Sequence, residues 1–426
     1  MEITLSNRPS RIATQLLATA AFFVATAWIS KSYLATRLGG SPTVPSLRYA
    51  IKLDPAESRY HLELGRLLQY DPEVIDPEQS LAELKQAVCL SPYEPEAWRS
   101  LAMALQFEGR TEESLACLRR ADALAPRLPA LQWDVANAFL LHGEVAEAFR
   151  HFKVVLAGST EYNAILFNTV WEASHDAGQI LSQAIPESVP VEFSYLYYLL
   201  GRSQFDDAHS VWKRIVASPD RFAPAQAAGY LDKLITARRP AEAWQVWEDL
   251  RSKGAIGQLE HPTDQNLVIN GDFEQEALNL GFDWRIVPAP DTYAGIDTTR
   301  HHSASHSLLV QFSGKGNINY ENAFQWVRVS PGRSYRLSAF LRTQGITTDS
   351  GPRLMVQDTY DPKALTQFSE DLEGSSTSWS QVTLDFKTGP RTELLTVGLA
   401  RLPSQKLDNQ IAGRVWLDDV NLAPLP

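Results

Sequence analysis

PEAWRSLAMALQFEGRTEESLACLRRADALAP, residues 95–126, reads as two antiparallel helices joined at Gly109 and closed by Pro126. Working outward, the same marks recur. Thirty-four residues before Ala121 and Pro126 stand Ala87 and Pro92. Thirty-seven further back stand Ala50 and Pro55, with DPEVID (71–76) supplying the extra length. Leu64-Gly65 matches Leu101-Ala102 and Val135-Ala136. Ser80, Ser114 and Ala148 hold one small position, and Leu84, Leu118 and Phe152 hold one large position. Small residues let helices approach at a crossing, and large ones fill the adjacent gap. Proline stops the second helix because it lacks an amide donor and clashes with a preceding carbonyl. Gly109 and Gly143 mark the turns between helices. One such unit cannot cover its own apolar face, so units stack.

These residues, with Trp98 three positions before Leu101, resemble the tetratricopeptide repeat, W-x2-L-G-x2-Y…A-x3-F…A-x4-P, over residues 45–160. The period continues in degenerate form: FDDAHSVWKRIVASP (205–219) and PAEAWQVWEDLRSKG (240–254) align Ala208 with Ala243 and Trp212 with Trp247. About six hairpins are expected between residues 45 and 255. The resemblance implies an interaction scaffold that binds a protein partner on a concave surface. Clamp-type repeats grip a peptide carboxylate with Lys and Arg, whereas residues 45–264 carry 21 basic and 31 acidic side chains, a poor match to that mode. Cys89 and Cys117 fall on second helices of neighbouring units and read as buried small apolar residues rather than a disulfide.

The net charge of −11 and pI near 5.4 exclude duplex nucleic acid as the main ligand, which needs a clustered basic surface. Two cysteines exclude a disulfide scaffold and a cysteine zinc site. IATQLLATAAFFVATAWIS (12–30) is uncharged and is flanked by Arg8, Arg11 and Lys31. As a helix it spans roughly 28 Å, the thickness of a hydrocarbon core. Trp28 and Tyr33 lie where an interfacial aromatic belt belongs. Two readings stand: an uncleaved membrane anchor, or a signal peptide cut at Ala25-Thr26-Ala27 that leaves a secreted protein. Flanking charge does not set the orientation, because Arg8 and Arg11 are matched by Lys31 and Arg37.

After Gly257 the pattern changes. Short alternating runs separated by Gly, Pro, Ser and Asp mark an all-β domain: SLLVQFSG (307–314), QWVRVSPGRSYRLSAFLRT (325–343), RLMVQDT (353–359), SQVTLDF (380–386), LLTVGLAR (394–401) and GRVWLDDVNL (413–422). Eight or more strands in about 160 residues suit a jelly roll. With NLVINGDFE (266–274) leading and VWLDDVNL closing, the order of motifs resembles carbohydrate-binding modules of the galactose-binding-like class, over residues 265–426. The resemblance implies a β-sandwich, a glycan ligand and a structural calcium, for which Glu274 and Asp418 stand at the matching carboxylate positions. Oxygen ligands of this kind suit calcium.

Strand parity extends the reading. Val327 and Val329 inward place Trp326 and Arg328 outward, and Tyr335, Leu337, Ala339 and Leu341 inward place Phe340 and Arg342 outward. If the two runs form a hairpin around Pro331-Gly332, aromatics and arginines share one exposed face. Trp326 and Phe340 are then the glycan platform, flanked by Arg328 and Arg342, with Gln357 as polar partner. The competing reading is that loops or the repeat array cover these rings. HHSASH (301–306) reads as a polar loop rather than a zinc site. No G-x-S-x-G, H-E-x-x-H or P-loop pattern occurs, and anchor, repeats and sandwich account for the chain, so no enzyme is expected.

The expected class is a multidomain α + β chain. Residues 1–44 form an anchor or signal segment, 45–257 tetratricopeptide-like repeats, 258–265 a linker and 266–426 an antiparallel β-sandwich. The expected function is a non-enzymatic, membrane-anchored, extracytoplasmic scaffold, periplasmic or at the cell surface. Its repeats hold a protein partner and its sandwich takes a polysaccharide, in exopolysaccharide assembly or export. The alternatives are a purely structural envelope assembly factor and, less favoured, a glycan-processing enzyme.

Overall fold

The computed structural model describes residues 8–40, 42–158, 160–257, 259–376 and 378–426. The first seven residues and Ser41 of the N-terminal segment, and Gln258 of the linker, lie outside the described residues. Among the described residues there are fourteen helices. They are α1 (Arg8–Gly39), α2 (Val44–Leu53), α3 (Ser58–Tyr70), α4 (Pro77–Leu90), α5 (Pro95–Phe107), α6 (Thr111–Leu124), α7 (Pro129–Leu141), α8 (Val145–Gly158), α9 (Asn163–Ser174), α10 (Ala177–Gln183), α11 (Val189–Gly201), α12 (Phe205–Ala217), α13 (Ala225–Thr236) and α14 (Pro240–Ser252). Two compact units divide at Tyr198/Leu199, so α12–α14 belong with the sandwich rather than with the first repeats.

In the first unit, α3–α4, α5–α6 and α7–α8 form successive hairpins. Pro77, Pro95 and Pro129 each open a helix, where the missing amide donor costs nothing. Gly109 and Gly143 turn the chain at φ +71° and +77°, the left-handed region where glycine carries no Cβ penalty. Gly65 lies against α4: a Cβ there would meet Leu84 Cγ at 2.6 Å. The small position does more than make room. Ser80 Oγ donates to the Gly65 carbonyl at 2.7 Å, and Ser114 Oγ to the Ala102 carbonyl at 2.8 Å, joining the two helices of each hairpin. Cys117 is buried, but Cys89 is exposed, which corrects the expectation of two buried thiols.

Helix α1 runs unbroken for 32 residues, and its stretch Ile12–Gly39 is long and apolar enough to cross a membrane. Its outer turns are bare, with Phe22, Val24 and Trp28 exposed. Its last turns are not: Ala35 is buried with Leu47, Ala50, Tyr60 and Leu64 in one apolar cluster.

In the second unit, Trp212 and Trp247 are buried, and the Trp212 indole donates to Asp249 at 2.8 Å. The strands follow: β1 (Arg285–Ile286), β2 (Thr292–Asp297), β3 (Ser307–Ser313), β4 (Tyr320–Arg328), β5 (Ser334–Gln344), β6 (Arg353–Asp358), β7 (Thr366–Phe368), β8 (Ser380–Lys387), β9 (Leu394–Arg401) and β10 (Ala412–Pro424). One antiparallel sheet has the order β1-β4-β9-β6-β7 and the other β2-β3-β10-β5-β8. Val310, Tyr320, Val327, Leu337, Leu341, Val397 and Leu417 fill the space between them. The segment 325–343 does not form a hairpin. β4 pairs with β1 and β9, β5 pairs with β10 and β8, and the chain crosses from one sheet to the other between them. Val327 and Tyr335 share the core.

Candidate functional site

Three surfaces carry chemistry. The first is on the repeats. Arg66 reaches Glu96 at 3.3 Å, Arg99 reaches Glu96 at 2.7 Å and Asp134 at 2.6 Å, so a chain of charges crosses α3, α5 and α7. Burial pulls the Glu96 carboxyl up, but the Arg99 guanidinium wins and holds it below the usual carboxylate range. For Asp134 burial outweighs the same arginine, and its pKa is raised. Arg66 and Arg99 are thus matched by acids of the array itself and do not form a cationic clamp for a peptide carboxylate.

The second surface is the outer face of the β1-β4-β9-β6-β7 sheet. Trp326 pairs with Thr396 across β9, and Thr396 with Gln357 across β6, so Trp326, Gln357 and the neighbouring Arg328 share this face. Gln357 Nε2 donates to Thr366 Oγ1 at 3.1 Å. Part of the face is covered from within the unit, while Arg328 stays exposed. The Arg285 guanidinium lies 4.4 Å from the Trp326 ring and is paired with Asp232 of α13. Arg328 sits 5.3 Å over Trp244 of α14. The loop before β1 enters the same contact. Phe282 is buried against Trp244 at 4.9 Å, and a Cβ on Gly281 would meet Trp247 at 2.5 Å. Arg238 donates to the Tyr360 carbonyl at 3.2 Å, and burial raises the Tyr360 hydroxyl to about 12.

The third surface is the outer face of the β2-β3-β10-β5-β8 sheet, which carries Phe340 and Arg342. The five candidate glycan residues therefore divide between two sheets: Trp326, Arg328 and Gln357 on one, Phe340 and Arg342 on the other. The shared face expected from a β4–β5 hairpin does not form. Here too the rings are capped. His302 stacks on Phe340 at 3.6 Å and 11°, with Trp379 edge-on to the imidazole at 5.8 Å. Arg300 lies 4.7 Å over Trp416, whose indole donates to Asp297 at 2.6 Å.

The loop that supplies these caps is held by the two carboxylates that the resemblance assigns to calcium. Glu274 Oε1 accepts the amides of Ser305 and His306 at 2.7 Å each, and Oε2 faces His306 Nδ1 at 3.0 Å. Asp418 Oδ2 accepts the amides of His302 at 2.6 Å and Ser303 at 3.1 Å, and Oδ1 that of Asp419 at 2.8 Å. Calcium takes six to eight oxygens with lone pairs turned to the ion. All four oxygens here are turned to N–H groups, and among the described residues no cluster of three or more His, Cys, Asp or Glu could hold a metal. As arranged, Glu274 and Asp418 fit a loop clamp and do not fit calcium. The capping partners Arg285, Asp232, Trp244 and His302 are the residues that sequence reasoning misses. Arg285 and His302 each lie on a ring distant in sequence, Asp232 holds Arg285, and Trp244 receives Arg328.

No protein-family model matches the chain, and no curated protein matches it. Among solved structures it is similar to two crystal structures of MamA. One is 16% identical, with a TM-score of 0.26, over 41% of this chain and 84% of that one. The other is 14% identical, with a TM-score of 0.32, over 46% and 98%. It is also similar to a structure titled for CBM4, at 16% identity and a TM-score of 0.28, over 37% of this chain and 99% of that one.

Proposed function

We propose that the chain is a non-enzymatic, membrane-anchored, extracytoplasmic scaffold. Its helical repeats hold a protein partner, and its β-sandwich packs on α13 and α14 of its own unit instead of gripping a glycan. The observation that carries the second half is the cover over Trp326: the Arg285 guanidinium, held by Asp232, lies on the ring where a sugar would stack. The anchor reading draws support from α1. It passes through Ala25-Thr26-Ala27 without a break and buries Ala35 in the first apolar cluster, so cleavage after Ala27 would cut a helix that the core uses. A reporter fused after Pro426 and active only in the cytoplasm would overturn the location.

A second reading keeps a glycan and a setting in exopolysaccharide assembly or export. It is favoured by the gathering of Phe340, Trp379 and Trp416 around the 298–306 loop. One experiment separates the two. Soluble xylan, β-glucan and bacterial exopolysaccharide are titrated against the wild-type chain, Trp326→Ala and Phe340→Ala, with tryptophan fluorescence as readout. The expected result is no glycan response from any chain, together with a lower melting temperature for Trp326→Ala. A wild-type response lost in Trp326→Ala overturns the proposal. A response lost only in Phe340→Ala establishes the second reading.

A further inference from the structure

Six residues beyond the buried Leu64, Leu101 and Val135, about two-thirds of a turn off the buried stripe, each first helix of a hairpin ends in an apolar side chain: Tyr70, Phe107 and Leu141. They recur with the period of the array, and all three are open to solvent, at 57%, 80% and 70% exposure. Isolated exposed apolar residues need no explanation, but a row in register with the repeats does. Beside the row lie recesses at equivalent places. One is lined by Gln69, Ile75, Ala104, Phe107 and Glu108. The other, two hairpins on, is lined by Leu140, Val145, Asn168, Thr169 and Glu172. In the first, both polar atoms of the Gln69 amide are buried with no hydrogen-bond partner among the described residues. A buried amide left unpaired is costly, and it can offer one donor and one acceptor to a passing backbone.

The row carries exposed acids beside arginines that are already paired. Each turn that follows a row residue carries an exposed acid: Glu73, Glu108 and Glu144. The nearby arginines are engaged elsewhere, Arg66 and Arg99 in the Glu96–Asp134 chain and Arg110 with Glu113 at 2.6 Å. Stacked helices sit about 8–10 Å apart. A polyproline-type strand has three residues per turn and rises about 3.1 Å per residue, so every third side chain returns to one side about 9 Å further on. Its backbone makes no internal hydrogen bonds and is free to meet Gln69.

We propose that this row is the docking edge for an extended, cationic protein segment of polyproline type, with an apolar side chain at every third position and Lys or Arg between. The proposal rests on the scaffold reading above and names the chemistry of its partner.

The test uses the full chain in detergent and two fluorescein-labelled probes, (Leu-Pro-Lys)4 and (Leu-Pro-Glu)4, followed by fluorescence anisotropy. Expected are saturable binding of the Lys probe that weakens as salt rises, none of the Glu probe, and a loss of at least about tenfold for Tyr70→Ser/Phe107→Ser. Both side chains are exposed, so an unchanged circular-dichroism melt confirms that the variant is folded. Failure of the Lys probe to saturate, equal binding of the two probes, or a double variant that binds like wild type overturns the proposal. A parallel retention assay on membrane extract separates it from the scaffold reading. A partner kept equally by wild type and the double variant removes the row and leaves the scaffold. No partner kept by wild type removes both.

Discussion

Asp283 is fully buried beside the loop that docks on α13 and α14, and burial pushes its carboxyl up to about 6 even though the Leu278 amide donates to it at 2.7 Å. In the unfolded chain the same group titrates near 3.9. Between those values the folded state keeps a proton that the unfolded state has released. The group's contribution is therefore complete below about pH 4 and is lost as pH rises through 6, a change of about 3 kcal/mol for a shift of about two units. Asp283→Asn keeps an acceptor for Leu278 and cannot ionise. Calorimetric melts from pH 4 to 7 are expected to show wild type losing stability relative to the variant across that window, and parallel profiles would exclude the assignment. At this scale the sequence is informative in one direction only. Alternation along β4 and β5 says that Trp326 and Phe340 point outward, because side chains in a strand must alternate. It does not say what meets them there, since Asp232, Trp244 and His302 arrive from other parts of the chain.

The hairpins of the first unit were legible as elements because each repeat restates the same small, large and proline positions, and Ala121 is the sharpest instance. It is fully buried on α6. Ala121→Trp is expected to lower the melting temperature of the chain's helical transition, at a cost of roughly 1–3 kcal/mol or more for overpacking. An unchanged far-UV melt would show that the register is misassigned. Strands were legible one at a time for the same reason, as alternating runs. Their pairing was not, because a strand's inward face is compatible with either sheet of a sandwich. The chain Val329–Arg333 looks like a hairpin turn in sequence and is a crossing between sheets in the fold. Only the partners of β4 and β5, each distant in sequence, distinguish the two. The repeat period did hold one further message, the exposed row at Tyr70, Phe107 and Leu141. A search for buried positions passes over it.

At the scale of the whole chain, composition changes at Gly257, yet the second compact unit begins at Leu199. Composition marks where helix gives way to strand. It does not register that Gly281 and Phe282 are seated among Leu231, Trp244 and Trp247. A fragment of residues 258–426 is therefore expected to melt at least several degrees below one of residues 199–426 and to self-associate, because the outer face around Trp326 loses its cover. Equal melting temperatures and monomeric sedimentation of both fragments would show that the helices contribute nothing to the sandwich. The same seating fixes an order of events during synthesis. The chain leaves the ribosome from its N-terminus, so the tryptophan-lined cleft of α13 and α14 emerges first, and the loop that fills it follows about thirty residues later. At roughly 5–20 residues per second that is an interval of about two to six seconds. Until those residues follow, on whichever side of the membrane the chain folds, Trp244 and Trp247 stand without the Gly281–Phe282 segment that covers them.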